Sequence, residues 1–289
     1  MNITFVEDQN AEKKRKVYRV LAHIFLGVMT FICLFPFLLL FINATRSNGQ
    51  LQSGFSLIPR GNLIKNLINT WNDSSINMGI GLFNSFIIAG CCAAFTSYFS
   101  VMTAYAVHTY DFKGRGFIRG FILAIMMIPA QLSAVGFVQL VNGIGLTNNY
   151  LPLIIPSIAS PVTFFYMIQY MQNSLSLETI EAARVDGSSE FGTFHRIVLP
   201  IMKPAMAVQA IFAFVASWNN YFVPALIISE GDKKTLPIMM AVLRSTANSQ
   251  DYDLGKIYMF VLISILPVVV VYLILSKQII KGVSNGSPK

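Results

Sequence analysis

The sequence has 289 residues, of which 54% are hydrophobic and only 12% charged, about half the roughly 25% charge of a soluble domain, so lipid is the solvent it is built for. Its net charge of +8 sits between apolar blocks rather than along a stripe, which argues against a nucleic-acid surface. Cys33, Cys91 and Cys92 are odd in number, lie inside apolar blocks and lack metal-ligand spacing, so neither a disulfide framework nor a metal site is expected.

In chain order, a tail at 1–19 carries Lys13, Lys14, Arg15, Lys16 and Arg19 ahead of a long apolar block without a small-residue cleavage site, which predicts a retained anchor rather than a signal peptide. A bilayer core about 30 Å thick needs about 20 apolar residues per helix. Six blocks qualify: 20–42, 80–107, 117–140, 151–172, 204–228 and 257–276. The expected fold class is therefore all-α and polytopic, with six transmembrane helices in a domain at 20–276. Its outer loops are 43–79 and 229–255, its long inner loop is 173–203, and a tail follows at 277–289. Six crossings put both termini on one side, and the basic residues favour the cytoplasm for it. Trp71, Tyr150, Trp218 and Tyr221 fall near span ends, as interfacial anchors do. Pro36, Pro129, Pro156, Pro161, Pro224 and Pro267 lie in or beside spans, where kinks are expected.

Every Asp and Glu belongs to a loop or terminus, which argues against proton or sodium coupling, since such carriers keep an ionisable group at membrane depth. No G-x-x-x-x-G-K-[ST] phosphate loop exists; the only Gly-Lys pair, Gly255-Lys256, is followed by Ile257. Any ATPase must then be a separate polypeptide. His23, His108 and His195 are isolated at different boundaries, so no catalytic residues, metal or cofactor are predicted and the chain is not expected to be an enzyme.

The inner segment Asn173 to Lys203 is far longer than a helix pair requires. Ser176 can cap a helix carrying Glu178, Ile180, Glu181, Ala182, Ala183 and Val185, with Gly187 as a stop able to take positive φ. A second helix can begin at Ser188 or Ser189 and run through Phe191, Phe194, Ile197 and Val198, with Pro200 expected to end it. Such a knob suits a groove on a soluble partner. Glu178, Glu181, Asp186 and Glu190 argue against its lying on an anionic leaflet.

Glu181-Ala182-Ala183, Gly187, Ile197 and Leu199-Pro200 match, at every fixed position, the EAA signature of the permease subunits of binding-protein-dependent ABC importers. The chain resembles most closely the carbohydrate, MalG-like branch, through Ala104-Tyr105-Ala106, Phe112-Lys113-Gly114-Arg115, Gly145 to Tyr150, Ser217 to Tyr221, Thr235-Leu236-Pro237 and Lys281-Gly282. His108 and Thr109 depart from the pattern, standing where the family often has a basic residue.

The resemblance implies a type I ABC importer (MetI-like) permease fold in the bacterial inner membrane, with an ABC ATPase dimer docked on Glu181, Ala182, Ala183, Asp186, Gly187, Ile197, Leu199 and Pro200. Glu181 would make a polar contact with the ATPase, the alanines would allow close helix approach, and Gly187 would form the turn. It also implies a second, MalF-like permease subunit, membrane lipid around the pair, a sugar substrate, and an extracytoplasmic sugar-binding protein reached by the loop Ser229 to Gly255, including the polar stretch Ser245 to Asp253. Among neutral polar groups in the spans, Gln131, Gln209, Asn219 and Asn220 are the candidates for the substrate path, with helix packing the alternative at each position. A permease for peptides or glycerol phosphate, or a self-contained channel or carrier, are the competing readings.

Overall fold

Apolar blocks without internal charges can satisfy their backbone groups in lipid only by coiling into helices, and the computed structural model is helical throughout. It describes residues 9–245 and 252–285, with side chains at 14–129, 132–245 and 252–277, and contains no strand among them. The chain divides into two units, Met1–Asn69 with Asp253–Leu262, and Thr70–Tyr252 with Ile263–Lys289.

In the first unit, α1 (Gln9–Ala44) leaves Leu21, Phe25, Phe31 and Phe37 exposed, as a lipid-facing helix would. Ser47 caps the short α2 (Asn48–Gln52) in a reciprocal box with Gln50. Buried Arg46 donates to the carbonyls of Gln50 and Gly54 and to Asn43 Oδ1, which folds the loop after α1 on itself. The Asn66 amide on α3 (Leu63–Trp71) donates to Ala44 O at 2.8 Å and Arg46 O at 2.9 Å. The final helix, α14 (Leu254–Asn285), starts in this unit, where Asp253 Oδ1 accepts from Gly255 N.

The second unit is built around α4 (Met78–Thr109), capped by Asn77. It packs against α8 (Pro161–Ser174) and α11 (Leu199–Trp218). Their shared core holds Val101, Ala104 and Tyr105 of α4, Phe164, Met167, Ile168 and Met171 of α8, and Met202 and Ala205 of α11.

Five helical stretches among the described residues are long and apolar enough to cross a bilayer: Lys14–Ala44, Met78–Thr109, Leu151–Ser174, Glu190–Trp218 and Leu254–Lys277. The expected continuous helix at 117–140 is instead two, α5 (Arg115–Ile125) and α6 (Ala130–Gly143). Met126 to Ile128 close single turns onto Leu123, Ala124 and Ile125. Pro129, which has no N–H and pushes the residue before it out of helical backbone, then starts a new helix. A simple kink was expected there; the proline marks a full break.

The expected span 151–172 is also interrupted. It comprises α7 (Leu151–Ile154), a 3₁₀ turn (Ile155–Ile158) and α8, which Ser160 caps with Pro161 at its first position. The block 204–228 ends early: α11 stops at Trp218, and α12 (Phe222–Ile227) follows after Asn219 and Asn220. Trp218 is no interfacial anchor. It is 3% exposed, stacks on Phe214 and donates Nε1–H to Ser264 O at 3.1 Å, whereas Trp71 and Tyr221 are exposed.

Beyond a 3₁₀ turn (Gly231–Lys233), the loop after α12 forms α13 (Leu236–Ser245). Within the expected polar stretch Ser245 to Asp253, residues 246–251 lie outside the described residues. Asn148 ties this loop to the one before α7. It adopts φ +53°, its N–H donates to Ile227 O at 2.8 Å, and its Oδ1 accepts from Ser229 N, Ser229 Oγ and Glu230 N. Asn tolerates left-handed backbone that costs other L-residues roughly 1–2 kcal/mol, and each lost hydrogen bond costs about 1 kcal/mol more. Asn148→Ala should therefore raise amide exchange at 227–230 by at least about tenfold, read by hydrogen-exchange mass spectrometry, while exchange in α4 stays unchanged.

Candidate functional site

The segment from Ser176 to Pro200 forms the expected two-helix knob. Ser176 Oγ accepts from Thr179 N at 3.3 Å and starts α9 (Leu177–Val185). Gly187 at φ +77° ends it: Gly187 N–H donates to Arg184 O at 3.0 Å and Ser188 N–H to Ala183 O at 2.9 Å. These are the paired bonds of a Schellman stop, which needs a left-handed residue at that position. Ser189 then caps α10 (Glu190–Thr193) by accepting from Gly192 N at 3.1 Å.

The second helix does not end at Pro200. From Glu190 the chain stays helical to Trp218, passing through a π-turn (Phe194–Val198) into α11. Leu199 N–H donates five residues back, to Phe194 O. That register slip just before Pro200 lets the helix absorb a residue without an N–H.

The candidate coupling residues divide between two faces. Glu181, Ala182, Asp186, Gly187 and Pro200 are exposed, Ala183 is buried, and Ile197 and Leu199 are half-buried. Beside the exposed group, Val185 is 87% and Phe191 72% exposed. Two uncovered apolar side chains among acids form a surface suited to a protein partner. The inward face is anchored by Ile180, fully buried with Met171, Phe194 and Val198.

Glu190, which pattern reading used only for its charge, is a hub. Its carboxylate accepts from Arg184 Nε at 2.9 Å, from Tyr105 OH at 3.3 Å and from Tyr110 OH. The bond to Glu190 raises the Arg184 guanidinium's pKa above its ordinary value. His108, where the chain departs from the family pattern, also has a structural role. Its Nε2 donates to Leu175 O at 3.1 Å and its carbonyl accepts from Arg115, joining the ends of α4 and α8 to the start of α5. Sequence spacing offered no sign of the contacts from Glu190 to Tyr105 and Tyr110 or from His108 to Leu175, because those partners are far apart along the chain.

A cavity of about 510 Å³ opens beside the break between α7 and α8. It is lined by Cys92, Thr96, Ser157, Ser160, Thr163, Gln209, Phe212, Ser217 and Asn220, among others, with no Asp, Glu, Lys, Arg or His. The size lies within the roughly 300–1,000 Å³ of small-molecule sites. Thr96 Oγ1 donates to Ser157 O at 2.9 Å and Ser160 Oγ to Thr163 Oγ1 at 3.0 Å, while Gln209 is 7% exposed. Irregular backbone at membrane depth is tolerated where it is buried in protein or lines a cavity, and here the break supplies part of the wall. Of the four path candidates the structure brings two together, Gln209 and Asn220. Asn219 is exposed outside the lining, and the Gln131 side chain lies outside the described residues.

Residues 106–285 match the family described as "Binding-protein-dependent transport system inner membrane component". The chain is 32% identical over 279 residues to the arabinooligosaccharides transport system permease protein AraQ of Bacillus subtilis (strain 168), covering 94% of this chain and 96% of that one. It is 28% identical over 274 residues to the diacetylchitobiose uptake system permease protein NgcG of Streptomyces coelicolor (strain ATCC BAA-471 / A3(2) / M145), covering 93% and 89%. In fold it is similar to a chain in the crystal structure of a bacterial ABC transporter involved in the import of the acidic polysaccharide alginate, with TM-score 0.76, 20% identity, and 91% of this chain and 97% of that one covered. The chain therefore belongs to the binding-protein-dependent inner membrane component family, as an ABC importer permease subunit whose ATP is hydrolysed by a separate ATPase.

Proposed function

We propose that this subunit conducts a neutral sugar or oligosaccharide. The observation that supports it most is the groove, where hydroxyl and amide groups of Ser160, Thr163, Ser217, Gln209 and Asn220 meet the ring of Phe212 without any charged side chain. Neutral hydrogen-bonding groups beside an apolar face match a hydroxylated ring. A phosphorylated solute would call for Arg or Lys. In this reading the chain crosses the membrane six times, with α5 and α6 together as the third crossing and both termini cytoplasmic. The knob at Ser176 to Pro200 then faces the cytoplasm, where Glu181, Asp186 and Gly187 meet the ATPase dimer. The loop containing α13 faces the solute-binding protein, and a MalF-like second permease completes the path.

The test is uptake into vesicles holding the complete importer with its binding protein. Neutral oligosaccharides should stimulate ATP hydrolysis and accumulate, glycerol 3-phosphate should do neither, and vesicles with this chain alone should take up nothing. Gln209→Ala should lower sugar uptake about fivefold, the equivalent of one hydrogen bond of about 1 kcal/mol. Stimulation by glycerol phosphate but not by any sugar would overturn the substrate assignment.

A further inference from the structure

Three donors on two different helices converge on one carboxylate. Arg184 Nε comes from α9, at 2.9 Å, while Tyr105 OH at 3.3 Å and Tyr110 OH come from the end of α4, and Glu190 itself opens α10. The Arg184 guanidinium also lies 5.4 Å from the centroid of the Tyr110 ring. The rings of Tyr105 and Tyr110 meet edge to face at 5.9 Å, and Tyr105 lies 5.6 Å from Phe194. About two turns earlier on α4, Tyr98 hydrogen-bonds His195 Nε2 at 3.1 Å, and His195 Nδ1 donates to Phe191 O at 2.9 Å. The two helices of the knob are otherwise joined by the exposed turn at Gly187 and by the buried packing of Ile180 with Phe194 and Val198, and α10 runs into a π-turn, a feature that often marks a hinge.

We propose that Glu190 is a positioning residue for transport: it clamps both knob helices to α4, so that a displacement of the knob is carried into α4 instead of being absorbed at Gly187 and the π-turn. The destination matters, because α4 supplies Cys92 and Thr96 to the wall of the polar groove. The clamp thus links the surface that meets the ATPase to the groove that holds the solute. The proposal rests on the reading of the knob as the ATPase contact. An ordinary surface ion pair is the competing account, since Arg184 and Glu190 are 37% and 50% exposed and exposed pairs add little to stability. That weakness separates the two accounts: the clamp's loss should appear in coupling and not in folding.

The experiment uses the complete importer in proteoliposomes with its binding protein and sugar, measuring sugar accumulated per ATP hydrolysed together with the thermal unfolding midpoint. Glu190→Gln removes the charge at nearly constant shape, and should lower the transport-to-hydrolysis ratio at least about threefold with the midpoint unmoved. The pair Tyr105→Phe and Tyr110→Phe, which keeps both rings, should give the same defect. Adding Glu190→Gln to that pair should cost little more, because the three groups act as one unit. An unchanged ratio in Glu190→Gln and in the tyrosine pair overturns the proposal, as does a ratio that falls only in proportion to the midpoint. Gly187→Val separates the two levels. If it uncouples hydrolysis while Glu190→Gln does not, the clamp alone is wrong; if neither has an effect, the knob reading fails as well.

Discussion

Gly187→Val is expected to abolish binding-protein-stimulated ATP hydrolysis while the chain still inserts and assembles. At φ +77° the residue sits in left-handed backbone, which costs an L-residue roughly 1–2 kcal/mol and a β-branched one more, since for such residues positive φ is a true outlier. Space is not the obstacle, because a Cβ there would meet nothing within 4 Å. The strain must instead be relieved by opening the two terminal bonds of α9, from Gly187 N to Arg184 O and from Ser188 N to Ala183 O. That re-aims Glu181, Val185 and Asp186 relative to Phe191. A strain of that size reduces the competent population about tenfold or more. Gly187→Asn is the control: asparagine visits left-handed backbone readily, so stimulation should be largely kept. The measurement is ATP hydrolysis by the reconstituted importer with and without loaded binding protein. Full stimulation in the valine variant would refute the role given to this turn.

Ile180→Ala should uncouple the same machine from the opposite face. Ile180 is fully buried among Met171, Leu175, Phe194 and Val198, and truncating such a side chain costs about 2–5 kcal/mol. For a nine-residue helix held at both ends by turns, that is enough to detach it locally while the helices of the bundle keep their packing. Limited proteolysis should show new cleavage at 177–190 with the transmembrane helices intact, and stimulated hydrolysis should fall about tenfold or more. Ile180→Leu, a volume-conserving exchange, should cost under about 1.5 kcal/mol and restore most of the activity. Wild-type protection from protease in the alanine variant would refute the anchoring role.

The helical class and the membrane setting were legible from hydropathy, because a run of about 20 apolar residues has few other stable forms. The knob was legible because its devices are local: Ser176 and Ser189 cap within three residues, and Gly187 stops a helix with bonds reaching at most five residues back. Pro200 was misjudged for a physical reason. Proline removes one donor, but the π-turn before it shifts the bonding register, and propensity rules carry no term for that adjustment. Pro129, expected to kink a helix, instead separates two of them. In this chain proline position alone does not distinguish a kink, a continued helix and a break.

Composition and short-range spacing were therefore enough for the all-helical membrane class, for the knob and for its EAA signature, all of which rest on interactions within one turn or one bilayer thickness. Packing decided which polar residues share a site. Gln209 and Asn220 lie on the groove while Asn219 does not, although hydropathy treats the two asparagines alike. Only the fold could bring Glu190 to tyrosines 80 and 85 residues earlier in the chain, or place Asn148 under Ser229 and Glu230. Contacts of that kind depend on how α4, α8 and α11 pack, and side chains that meet across such distances leave no periodicity in the sequence.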